Sequence, residues 1–76
     1  MISPNDIVTV EIFRSHVNPQ DNPFIGVVKD GDLQKMVVVF DKHDPASKTL
    51  EIGRLARVTV LKVLPKCLIG RFNEYG

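Results

Sequence analysis

Apolar side chains recur at every second position in short runs divided by clusters of Pro, Asn, Asp and Gly, and no window carries the repeat of an amphipathic helix. The first run, Asp6 to Arg14, sets Val8, Val10 and Ile12 on one face and Ile7, Thr9, Glu11 and Phe13 on the other. Two Asn-Pro dipeptides between Ser15 and Pro23 then stop any ladder and predict a loop. The second run, Phe24 to Lys29, holds Gly26 at its centre, which predicts a bulge or bend. Asp30-Gly31-Asp32 predicts a tight turn into a hairpin partner, Gln34 to Asp41. That partner puts Met36, Val38 and Phe40 on one face and Lys35, Val37, Val39 and Asp41 on the other. Apolar centres on both faces suit a strand buried twice over, or one whose outer face serves a ligand or partner.

The polar connection Asp41 to Arg54 has room for one helical turn, and Pro45 argues against a longer one. Beyond Gly53, alternation turns Ala56, Val58 and Val60 inward and leaves Arg57 and Thr59 to water. The phase slips after Val60, and a bulge near Leu61 and Lys62 restores it, with Val63 inward and Lys62 outward. After the corner at Pro65-Lys66, Leu68, Gly70 and Phe72 point inward, while Cys67, Ile69 and Arg71 point outward. Residues 73–76 are expected to fray. Five short strands, two of them carrying a glycine, predict an all-β chain: a small five-stranded β-barrel, OB-like, with an SH3-like barrel as the alternative. Residues 1–76 make a single barrel domain.

Composition removes several function classes. A hydrophobic fraction of 43% and a charged fraction of 25% are those of an ordinary folded domain, and no apolar run is long enough to span a bilayer. The first residues lack a basic leader followed by an apolar stretch, so the expected location is cytoplasmic. Cys67 is the only cysteine, which rules out an intrachain disulfide. A zinc site would have to recruit His16, His43 and a carboxylate at spacings that match no metal motif. Cys67 reads as a small apolar filler and the histidines as solvated loop residues, so neither metal nor cofactor is expected. Ser3, Ser15 and Ser47 lie in no nucleophile motif and no glycine-rich phosphate loop is present, so neither an enzyme nor a small-molecule substrate is expected.

The net charge of +1 is uninformative until it is divided along the chain. Residues 1–40 set three cations against five carboxylates, a balance of −2; residues 41–76 set seven against four, a balance of +3. Arg57, Lys62 and Arg71 fall on the outward face of the last two strands, with Lys66 at their corner, Lys35 on the neighbouring hairpin and Lys29 at the entry to its turn. Such a set can track a phosphate backbone, with Phe13 and Phe24 as stacking planes and Val37 and Val39 beneath the bases. Singly, each cation fits the solvated face that any half-buried strand needs and both phenylalanines fit the core; it is the set as a whole that points to a phosphate backbone.

The order Gly53, Arg54, Ala56, Arg57, Val58, Thr59, Val60, Lys62, Val63, a corner, and then Leu68 to Phe72 resembles the TRAM domain. This is a small β-barrel attached to RNA-modifying enzymes and also found as freestanding archaeal proteins. The Asp-Gly turn leading into Val37, Val38 and Val39 is similar to the hairpin of that family, and the likeness extends over about residues 27–72. The chain departs from the family at Pro19, Asn22 and Pro23, where a glycine-rich loop is usual, and at Cys67 and Ile69, where outward aromatics are usual. The resemblance implies an RNA partner, with single-stranded DNA as a further candidate, bound in a sequence-tolerant and salt-sensitive way as in an RNA chaperone. The alternative is a protein-protein interaction module, or self-association, through the outer Val37, Val39 and Ile69.

Overall fold

A computed structural model of the chain describes residues 2–16, 20, 22–29, 31 and 34–76. The strands are β1 (Ile7–Arg14), β2 (Phe24–Val28), β3 (Val37–Phe40), β4 (Leu55–Val63) and β5 (Leu68–Tyr75). A 3-10 helix, Pro45–Lys48, lies in the polar connection where one turn was expected. The strands close a five-stranded barrel in the order β1-β2-β3-β5-β4, and every neighbouring pair is antiparallel except β3 with β5. Closure leaves no long open edge, which removes the association hazard that short apolar strands otherwise carry.

Alternation in the sequence translates directly into the core. Val10, Ile12, Val28, Val38, Phe40, Ala56, Val58, Val60 and Leu68 fill the interior, and Leu50 closes it from the β3–β4 connection. The two strand glycines permit close approach. A Cβ on Gly26 would lie 2.7 Å from Val10 Cγ2, and one on Gly70 would collide with Val58 Cγ1 and meet Val38 Cγ1 at 3.0 Å. Gly26 pairs in register with both Ile12 and Val38, so it supplies space for the facing valine rather than the expected bulge.

The phase slip in β4 is a bulge at Leu61: Val60 pairs with Gly70, and Lys62 with Ile69. Val63 pairs with the buried Leu68 but is 41% exposed, because it lies past the end of the core. At the expected tight turn, Asp30 and Asp32 fall outside the described residues; Gly31 adopts φ 70° and Lys35 φ 75°. Lys35 N–H donates to the Val28 carbonyl, so the connection is longer than a two-residue turn.

Residues 73–76 do not fray. Tyr75 pairs with Ala56 at the end of β5, packs edge-on against Phe72 at 5.0 Å between ring centres, and lies beneath the Arg54 guanidinium at 3.9 Å. Its hydroxyl also accepts the Glu51 N–H at 2.9 Å. The tail is polar by residue count, but one aromatic ring ties it to three separate partners. Asp44 has a matching role on the opposite edge of β5. Its carboxylate accepts the Ala46 N–H at 3.1 Å, capping the 3-10 helix, and the Phe72 N–H at 2.9 Å, where β3 has already ended.

Candidate nucleic-acid interface

Residues paired across neighbouring strands share a face of the sheet. One such row runs around the outside of the barrel through all five strands: Phe13 beside Ile25, Ile25 beside Val39, Val39 beside Ile69, and Ile69 beside Lys62. Its four inter-strand steps cover roughly 19 Å of curved surface. The row begins with an exposed aromatic, continues through three aliphatic side chains and ends in a cation. Below it, Val27 pairs with Val37, so the outer face of β2 and β3 is apolar over two rows.

The predicted cations do not form one set. Lys29 Nζ lies 2.8 Å from a Glu11 carboxylate oxygen, and Arg57 lies 3.5 Å from Glu74, so carboxylates neutralise both. Lys62, Lys66 and Arg71 have no ion-pair partner among the described residues. Lys62 and Arg71 flank Ile69, Lys62 across the ladder and Arg71 two residues along β5. Because β3 and β5 run parallel in matched register, Lys35 and Lys66, each two residues before its strand, emerge at the same end of the barrel.

The aromatics separate as well. Phe13 is 39% exposed on the outer row, as a stacking plane requires. Phe24 lies in phase with the buried Gly26 and Val28 and packs on the core, so its expected place on the binding surface is corrected. Inward phase, readable from Gly26 alone, outweighs its position at a strand start.

A cleft of about 370 Å³ opens on the outer face of β2 and β3, floored by Ile25, Val37 and Val39. Arg14, Ser15, His16 and Asn22, from the two ends of the β1–β2 connection, form its remaining lining. The Ser15 N–H donates to the Pro23 carbonyl at 2.9 Å, extending the β1–β2 ladder one step and holding these ends together. Asn22 Oδ1 is buried and has no hydrogen-bond partner among the described residues. The sequence marks none of these four as a binding residue: His16 reads as a solvated loop histidine and Ser15 lies in no nucleophile motif. Asn22 precedes a proline and reads as turn chemistry, and Arg14 reads as the end of a strand. Among the described residues, no group of three or more His, Cys, Asp or Glu is placed to hold a metal ion, and no helix is long and apolar enough to cross a membrane.

No protein-family model, curated protein or solved structure matches this chain.

Proposed function

We propose that the barrel binds single-stranded or loosely structured RNA on its outer face, with little dependence on sequence along most of the bound strand and without catalysing a reaction. The observation that carries this reading is the row from Phe13 through Ile25, Val39 and Ile69 to Lys62. Bases would lie against the aromatic and aliphatic side chains, and phosphates beside Lys62, Arg71 and Lys66, whose charges no described carboxylate cancels. The non-sequential strand order supports an OB-like barrel, a fold that offers its β2–β3 face to oligonucleotides. The TRAM-like order of residues agrees with the same partner. An activity that prefers unpaired strands, as an RNA chaperone does, needs no energy source.

Fluorescent single-stranded and duplex RNA titrated at low and high salt test the reading. The expected result is tighter binding of the single strand, with affinity falling steeply as salt rises. Preference for duplex, or no binding at low salt, would refute it. A salt-insensitive partner would instead favour an interaction module built on the apolar cleft, the second reading that Ile25, Val37 and Val39 support.

A further inference from the structure

We infer that the outer face of β1 and β4 is a docking surface for a second copy of this chain, forming a weak two-fold dimer through side chains that the row and cleft over β2, β3 and β5 do not use. The large hydrophobics that stand exposed among the described residues are Ile7, Phe13, Ile52, Leu55, Leu61 and Val63, and every one belongs to β1, to β4 or to the turn entering β4. Phe13 ends the row described above, and Val63 overhangs the end of the core. The other four share one region. Ile7 pairs with Thr59, Thr9 with Arg57 and Glu11 with Leu55, all on the face opposite the buried Val10, Ala56 and Val58. Leu61 continues β4 beyond Thr59. The Gly53 N–H donates to the Ile12 carbonyl at 2.8 Å, which sets the turn holding Ile52 against the far end of β1. Apolar side chains therefore stand at both ends of the face, Ile7 (62% exposed) and Leu61 (37%) at one and Leu55 (44%) and Ile52 (49%) at the other, with Thr9 and Arg57 between them.

Charge and pattern together select the occupant. Glu11 is paired with Lys29 at 2.8 Å, Arg57 with Glu74 at 3.5 Å, and Arg54, next to Leu55, with Glu51. These are the three ion pairs among the described residues, and all of them border this face. Its cations are already neutralised, so it offers little to a phosphate backbone or an anionic lipid surface, and the polar middle opposes insertion into hydrocarbon. An apolar centre bordered by balanced charge is instead the make-up of a protein interface. The order apolar, polar, apolar is also complementary to itself. A two-fold axis in the contact plane, along the strands or across them, lays apolar ends on apolar ends and the polar middle on its counterpart. Because each charge keeps its counter-ion, stacking two copies brings no net charge of one sign together. A face of two strands on a barrel with 4980 Å² of surface falls short of the roughly 800 Å² per partner of a standard interface, so the dimer is weak and reversible.

Sedimentation equilibrium of the full chain without nucleic acid, from micromolar to millimolar concentration, should show a reversible monomer–dimer equilibrium that changes little with salt. In methyl NMR over the same dilution, Ile7, Leu55 and Leu61 should shift while Val39 and Ile69 stay fixed. Ile7→Ser with Leu55→Ser should weaken association about tenfold or more. Both side chains lie outside the core, and a dispersed spectrum shows whether the variant is folded. If it is not, Ile52→Ser, in a turn, gives the same readout with a smaller loss. A chain that stays monomeric up to millimolar concentration, or a dimer whose concentration-dependent shifts fall on Val37, Val39 and Ile69 instead, would overturn the inference.

RNA binding is read on other residues, so the two readings fail separately. The Ile7→Ser, Leu55→Ser variant should keep the parent chain's affinity for single-stranded RNA. A dimer that binds no RNA would keep this inference and remove the proposed function; a monomer that binds RNA would do the reverse.

Discussion

Two double substitutions separate charge position from total charge. Lys62→Gln with Arg71→Gln removes two cations beside Ile69, and Lys29→Gln with Arg57→Gln removes two that Glu11 and Glu74 already neutralise. Each pair lowers the net charge of +1 by two, so any effect of overall charge is the same in both. Each phosphate neutralised on a single strand contributes about 0.7 to the slope of log affinity against log salt, so losing two contacts should flatten the slope by about 1.4. Between about 50 and 200 mM salt that amounts to a roughly sevenfold smaller loss of affinity. The second pair should leave the slope unchanged, because its cations release few counterions while a carboxylate occupies them. Its affinity should still fall modestly, since Glu11 and Glu74 are left unpaired beside the strand. Fluorescence anisotropy of a labelled single-stranded RNA across the salt range measures both slopes. Equal flattening by the two pairs would show that total charge governs binding, and the reasoning from residue position would fail.

The two phenylalanines should separate binding from stability. Phe13→Ala should weaken single-strand binding by about 1–3 kcal/mol with little change in stability, whereas Phe24→Ala, packed on the core, should lower stability by about 2 kcal/mol or more. Paired anisotropy and urea denaturation would show a reversal if the facing argument were wrong. Gly70→Ala should cost about 1–3 kcal/mol in urea denaturation, because the new methyl meets Val58, Val38 and, at 3.1 Å, the Thr59 carbonyl; an unchanged midpoint would refute the close-approach account. Asp44→Ala should lower stability by about 2–4 kcal/mol, losing a cap and stranding the Phe72 N–H, and calorimetry showing a loss well below that would place the β5 edge bond elsewhere.

Sequence alone determined most of what depends on a period of two, the exceptions being Val63, exposed past the end of the core, and Phe24, which packs on it. Alternation in each run assigned Val10, Ile12, Val38, Phe40, Val58, Val60 and Leu68 to the interior, and the one break in phase located the bulge at Leu61. That information is local: a residue's face follows from its neighbours along the strand. Which strands adjoin, and which side chains therefore meet, is not local. Only the closed order β1-β2-β3-β5-β4 aligns Phe13, Ile25, Val39, Ile69 and Lys62 into one row, and only the folded pairing gives Lys29 to Glu11 and Arg57 to Glu74. The tail is held for the same reason, since Tyr75 is tied to Glu51 and Arg54, both far from it along the chain. Charge can be counted along a chain, but whether it is free or cancelled depends on distances of a few ångströms between residues far apart in sequence.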